Sequence, residues 1–246
     1  MTNNKGIRPM IIAHRGASKL ARENTLEALK LAYQLKADGI EFDLRKTKDG
    51  IILLNHDPSV DKFMICDYTY NELKEITIKK GYIMPKFTDV VEELAGKLFM
   101  DIEIKEPAFE NEVIELMLAH TTYENFMIRS FSKEVIIKVK EIDPKIKTAL
   151  ILGERHLKYG IFSRIFDVFP KKHIKKTKCD VISPYHKLLL FSYVKRMHKL
   201  GIPVSVWTVT NMKQINKLTN KGVDHLIIDF PIEGALELLE KNKTAD

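Results

Sequence analysis

Short apolar runs recur along the whole chain, and most are followed by apolar positions at helical spacing. The runs predict strands over 9–14, 39–44, 50–55, 97–104, 126–130, 147–152, 180–183, 204–209 and 225–229. The helical patterns lie at 25–37, 88–95, 109–120, 133–141, 162–175, 188–200, 211–220 and 232–241. Strict alternation of this kind implies parallel strands joined by right-handed crossovers. The strand at 50–55 follows the one at 39–44 closely, across a Lys48-Asp49-Gly50 turn. Eight strands then remain for a closed (β/α)8 TIM barrel, an α/β architecture that takes about 250 residues as one domain. An open doubly wound sheet is the rival arrangement. The unit count and the length of 246 residues favour the barrel.

Local punctuation supports the pattern. Asn24 is placed to cap the first helix, with Glu27 three residues on as in a capping box. Leu26, Leu29 and Tyr33 then recur on one face, and Gly39 follows the end. The interval 57–88 fits the alternation worst, with Pro58, Gly81, Pro85 and a short helical piece near 71–76. It reads as an insertion capping the barrel mouth, not as a separate domain.

Composition narrows the class. A hydrophobic content of 45% is ample for a core. The net charge of +7, from 40 Lys and Arg against 33 Asp and Glu, reads as an ordinary mixed surface. Cys66 and Cys179 have no CxxC spacing, which argues against a disulfide framework or a zinc knuckle. No apolar run approaches the roughly 20 residues needed to span a bilayer, and the first residues lack the apolar core of a signal peptide. A soluble, cytoplasmic protein is expected. One segment stands apart: Ile161, Phe162, Ile165, Phe166 and Phe169 precede Lys171, Lys172, Lys175, Lys176 and Lys178. A helix packed on the barrel with a solvated basic tail is the simpler reading of 161–178, and weak contact with an anionic membrane surface is the alternative.

The chemistry gathers at strand ends. His14-Arg15-Gly16 closes the first strand, Glu41-Phe42-Asp43 lies in the second, and His56-Asp57 follows the third. Asp101, Glu103 and Lys105 alternate along the fourth, so they share a face, as do Glu41 and Asp43. The interleaved Ile40, Phe42, Leu44, Ile102 and Ile104 suit the opposite face, under helices. Converging carboxylates repel by several kcal/mol at intermediate dielectric, so they neutralise or hold a cation. An all-oxygen set of Glu41, Asp43 and Glu103 suits Mg²⁺ or Ca²⁺. The bland alternative is an internal salt-bridge network of Glu41 and Glu103 with Arg15 and Lys105. His14 and His56 can divide proton removal and donation. Arg15 and Lys105 complement a phosphoryl oxygen.

This ordered set resembles the glycerophosphodiester phosphodiesterase family from about Ile11 to Pro231. It includes Glu23-Asn24-Thr25, Thr47-Lys48-Asp49-Gly50, Pro85-Lys86-Phe87, Asp101-Ile102-Glu103-Ile104-Lys105, Ser130-Phe131 and Trp207-Thr208-Val209 as well as the motifs above. The resemblance implies one TIM-barrel domain over 1–246, with a small insertion at about 57–88. It also implies one divalent cation on Glu41, Asp43 and Glu103, and an acid/base pair of His14 and His56. Arg15 and Lys105 would hold the phosphate of a small-molecule diester, beside an apolar wall from Trp207. The expected reaction is metal-dependent cleavage of glycerophosphodiesters to sn-glycerol 3-phosphate and an alcohol. Arg22 replaces the proline usual before Glu-Asn-Thr, and Thr210, His225 and Ile228 also depart from the family pattern. These changes bear on substrate choice more than on reaction type. Lysophospholipase D activity on lipid-tailed substrates and a non-catalytic binding barrel are the rival readings. The basic run lacks interleaved stacking aromatics, which argues against a nucleic-acid partner.

Overall fold

In the computed structural model, which describes residues 8–153 and 165–243, each apolar run expected as a strand forms one. The strands are β1 (Met10–His14), β2 (Gly39–Lys46), β3 (Ile52–Leu54), β4 (Ser59–Val60), β5 (Phe63–Met64), β6 (Phe99–Ile104), β7 (Phe126–Ser130), β8 (Thr148–Leu152), β9 (Val181–Pro184), β10 (Ser205–Val209) and β11 (His225–Ile228). Eight of them run parallel in the order β10-β11-β1-β2-β6-β7-β8-β9. Isolated bridges Ile182–Val204 and Tyr185–Trp207 draw β9 to β10 and nearly close the ring. The first and last barrel strands in chain order, β1 and β11, pair directly in parallel register.

The helices are α1 (Leu26–Gln34), α2 (Tyr70–Ile78), α3 (Phe87–Leu94), α4 (Glu110–His120), α5 (Lys133–Ile142), α6 (Lys171–Thr177), α7 (Tyr193–His198), α8 (Met212–Thr219) and α9 (Ile232–Lys243). Between helices and strands lies the main core, to which Ile40, Phe42, Leu44, Ile102 and Ile104 contribute fully buried side chains. Burying each side chain of this size contributes about 1.5–3 kcal/mol. Inside the ring, Met127, Ala149 and Val181 form a separate small cluster with Phe99 against it. That plug fills the lower barrel, and the polar residues sit above it.

The spare strand has a specific job. β2 is eight residues long, and its pairing with β6 ends at Leu44–Ile104. Arg45 and Lys46 therefore extend past the last β6 pair, where β3 folds back against them in antiparallel register, Leu54 opposite Leu44. The Asn55 N–H then bonds the Asp43 carbonyl at 3.1 Å. A returning strand, not a barrel strand, thus brings His56 to the level of Asp43.

Two expectations need correction, the cap of α1 and the packing of the apolar face within 161–178. The cap of α1 is Thr25, whose hydroxyl accepts from the Ala28 N–H, while the Asn24 side chain is engaged elsewhere. Within 57–88, β4, β5 and α2 enclose a small core of their own, in which Leu53 of β3 packs with Val60, Ile65, Tyr70, Leu73 and Met84. Of the segment 161–178, Ile161 and Phe162 lie outside the described residues. The remainder does not bury its apolar face: Ile165, Phe166 and Phe169 stay about half exposed, at 50%, 50% and 48%, while Val168 turns inward. Among the described residues, no helix is long and apolar enough to cross a membrane.

Candidate active site

Register does most of the assembly. Adjacent strands β2 and β6 place Glu41 beside Asp101 and Asp43 beside Glu103. Glu41, Asp43 and Glu103 are buried, and one oxygen of each lies within 4.8 Å of the others. Asp101 belongs one level deeper, where the Arg129 guanidinium donates to it at 2.7 Å and to Ser183 Oγ at 2.9 Å. Alternation alone offered four carboxylates, and the ion pair to Arg129 removes one from the cluster.

The end of β1 and the turn after it supply the first histidine and one cation, Arg15, while the second cation, Lys105, follows β6. Arg15 and Gly16 both take positive φ, at 56° and 84°. A Cβ on Gly16 would stand 2.6 Å from the Ala28 carbonyl carbon, so the turn can close on α1 only with glycine there. This geometry aims the Arg15 N–H at Glu41 Oε2, 3.1 Å away. It also sets Arg15 Nε 3.2 Å from Asp43 Oδ2, and Nη1 donates to Glu23 at 2.8 Å. Lys105 Nζ reaches Asp43 Oδ1 at 2.8 Å and Glu103 Oε1 at 2.6 Å. Asn24 clamps Asp43 from both sides, donating to Oδ2 at 2.8 Å and accepting its backbone N–H at 3.2 Å. That clamp explains why Asn24 does not cap α1.

His14 Nδ1 pairs with Asp229 Oδ1 at 2.9 Å, and Ser18 Oγ donates to the same oxygen at 3.1 Å. With the Nδ1–H given to Asp229, Nε2 faces the cluster, 3.9 Å from Glu41 Oε2. His56 is more exposed, at 40%, and its Nδ1 meets Asp57 at 2.8 Å. Its backbone is held firmly: Arg45 Nε and Nη2 donate to the His56 carbonyl at 2.9 and 2.6 Å, and Nη1 bonds Glu106. Trp207 donates from Nε1 to the Ser183 carbonyl at 2.9 Å, with Phe131 and Tyr185 each 5.4 Å from its ring.

The charges divide by environment. Burial works to raise Asp43, but Lys105 and Arg15 override it and hold this carboxyl well below the usual range. Burial and the repulsion of Asp43 push Glu41 up. Burial pushes Glu103 up too, with Lys105 opposing and Asp43 and Glu41 adding. For His14, burial lowers the pKa, yet Glu41 and Asp229 outweigh it and the net shift is upward. The salt-bridge network with Arg15 and Lys105 therefore exists, but it leaves Glu41 and Glu103 raised. A hard divalent cation fits this set: three buried oxygen donors, two of them raised by burial and like-charge repulsion.

Six of the eight residues singled out in the sequence thus share one network of close polar contacts, and His56 reaches it through the field it exerts on Asp43. Trp207 instead joins an aromatic cluster with Phe131 and Tyr185. Asp229, Asn24 and Arg45 were not read as functional. The signal for Asp229 was its place at the end of the last strand, just before Pro231.

Comparison with known proteins gives a consistent picture. Residues 14–233 match the glycerophosphoryl diester phosphodiesterase family. A glycerophosphodiester phosphodiesterase of Caldanaerobacter subterraneus is 30% identical over 96% of this chain and 99% of its own length. The fold is similar to that of the Thermotoga maritima glycerophosphodiester phosphodiesterase, with a TM-score of 0.77, 24% identity and coverage of 94% and 99%. It is also similar to an Oleispira antarctica phosphodiesterase solved with the product sn-glycerol-3-phosphate, with a TM-score of 0.77, 21% identity and coverage of 94% and 97%. With a matched stretch of 220 residues running from His14 through the last strand, the chain belongs to the glycerophosphoryl diester phosphodiesterase family.

Proposed function

We propose that this enzyme hydrolyses glycerophosphodiesters to sn-glycerol 3-phosphate and an alcohol, with a divalent cation on Glu41, Asp43 and Glu103. The observation that carries the reading is the buried triad, whose oxygens lie within 4.8 Å of one another beside an oriented histidine. A bound cation would supply Lewis-acid stabilisation of charge on the phosphoryl oxygens. Arg15 and Lys105, already drawn to the same carboxylates, are placed to hold the phosphate from the two sides of Asp43.

The acid/base work falls to His14 and His56. Asp229 fixes the ring of His14 so that Nε2 is the nitrogen that moves a proton. His56 stands at the end of the returning strand, tied by its carbonyl to Arg45. One histidine removes a proton from the nucleophile and the other protonates the leaving alkoxide. Trp207, with Phe131 and Tyr185, provides an apolar wall for the glycerol or alcohol portion. The insertion at 57–88 belongs to this one domain, with its own small core seated on β3.

The test is release of glycerol 3-phosphate from glycerophosphocholine and glycerophosphoethanolamine by metal-stripped protein, with Mg²⁺ or Ca²⁺ restored. Metal-dependent release that His14→Ala loses is the expected result. Absence of release from the wild type under all these conditions would overturn the reading.

A further inference from the structure

Charge is unevenly spread along this chain. Residues 168–223 hold twelve Lys and Arg against one acid, Asp180, whereas the remainder holds 28 Lys and Arg against 32 Asp and Glu. The whole positive excess therefore belongs to the stretch from the end of the β8–α6 connection to the turn before β11. That same stretch carries the most exposed large apolar side chain among the described residues, Phe191, at 73%.

Two consecutive connections build one surface there. The β8–α6 connection contributes Ile165, Phe166 and Phe169, and the β9–α7 connection contributes Leu190 and Phe191, each about half exposed or more. The Phe169 and Phe191 rings stack at 6.2 Å with 19° between their planes. Arg196 fastens the two connections together. Its Nη2 donates to the Val168 carbonyl at 2.8 Å, its Nε donates to the Phe191 carbonyl at 3.0 Å, and its guanidinium covers the Phe169 ring at 4.5 Å. The aromatic edges are thereby held outward in water, where leaving them costs apolar burial.

Lysines surround the apolar centre. Lys171 and Lys172 open α6 directly after Phe169-Pro170, and Lys172 Nζ lies 5.8 Å from the Phe166 ring. Lys187 and Lys195, both exposed, flank the other connection. The one acid in the first connection's described part, Asp167, is buried and faces His173 at 3.9 Å. Exposed aromatics framed by lysines match a bilayer interface with anionic headgroups, where rings enter the acyl boundary and ammonium groups meet phosphate. Both connections leave the carboxyl ends of parallel strands, the end at which His14 and Trp207 stand. Tyr185 begins the second connection and packs on Trp207.

We infer that Phe166, Phe169, Leu190 and Phe191, with Lys171, Lys172, Lys187 and Lys195, form a docking surface for anionic phospholipid bilayers that turns the barrel mouth toward the membrane. The inference does not rest on the proposed reaction, because vesicle capture is read without substrate.

The experiment is co-sedimentation of the full chain with phosphatidylcholine vesicles with and without about one-third phosphatidylglycerol. The wild type sediments with the anionic vesicles and much less with the neutral ones. Phe166→Ser with Phe191→Ser, and separately Lys171→Glu with Lys172→Glu, each weaken capture by about tenfold or more. Both variants keep the far-UV circular dichroism and the melting temperature of the wild type, since the four side chains are exposed. Failure of the wild type to sediment with anionic vesicles overturns the inference. So does capture unchanged by both variants. Self-association in sedimentation velocity, lost in Phe166→Ser with Phe191→Ser and without vesicle capture, would reassign the surface to a second copy of the chain.

Discussion

The Arg129–Asp101 pair inside the barrel gives the sharpest energetic prediction. Both side chains are at most 3% exposed, they meet at 2.7 Å, and Ser183 takes a second guanidinium proton. Burial still dominates at Asp101, whose carboxyl is pushed up despite the attraction of Arg129. Arg129→Met therefore strands a buried anion, and breaking a buried pair in this way costs about 3–5 kcal/mol. Asp101→Leu strands the guanidinium instead, but Glu41 and Glu103 still attract it. That variant should lose less, about 1.5–3 kcal/mol, the scale of a lost charged hydrogen bond. The double variant removes both charges and is expected within about 1 kcal/mol of wild type, since apolar replacement of a buried pair is often neutral. Urea unfolding at constant m reads the cycle. The pH signature follows from the sign of the shift. A carboxyl whose folded pKa lies above its unfolded value destabilises at high pH and is relieved as pH falls through the folded pKa. The deficit of Arg129→Met should thus shrink as the pH is lowered from neutrality. Additive single costs, or a larger loss from Asp101→Leu than from Arg129→Met, would refute the reasoning.

Four further outcomes can be checked. Asp229→Asn removes the anion that orients His14, so kcat should fall roughly a hundredfold, the lower end of general acid–base contributions, while the far-UV spectrum is kept. Burial pushes His225 down to about 4; the unfolded chain takes up that proton first, so stability should drop by about 3 kcal/mol between pH 6.5 and 4. His225→Leu should flatten that part of the pH–stability curve. Gly16→Ala forces a Cβ to 2.6 Å from the Ala28 backbone at a φ of 84°, which should cost more than about 1 kcal/mol and lower the melting temperature. Mg²⁺ or Ca²⁺ at 100 times its Kd should stabilise the fold by about 2.7 kcal/mol, and Glu103→Gln should diminish that gain at the same metal concentration.

Strand positions were legible because parallel barrel strands are buried on both faces and read as continuous apolar runs interrupted by the few ionisable residues of the site. Glu41, Asp43 and Glu103 followed from period-2 alternation. What stayed hidden depended on contacts that no local pattern encodes. Asn24 has the chemistry of a helix cap, and only the approach of Asp43 diverts it, leaving Thr25 to do the capping. Asp101 looks like a fourth ligand until Arg129 is found facing it from the next strand. The apolar face at 165–169 reads as core by spacing, yet where it points is decided by Arg196, some thirty residues later. Arg45 was silent for a related reason: two of its guanidinium nitrogens hold the His56 backbone carbonyl, and backbone acceptors leave no trace in residue types.

The pairing of His14 with Asp229 joins side chains 215 residues apart, because β1 lies between β2 and β11. On a ribosome adding about 5–20 residues per second, roughly 10–40 s separate the emergence of the two groups. Once Glu103 has emerged, the first histidine and the whole carboxylate triad are made, while one edge of β1 still has no strand beside it. Release of a competent enzyme is therefore timed by its last strand. A chain stalled before Asp229 carries both histidines and the full triad, but neither a closed ring nor an oriented imidazole.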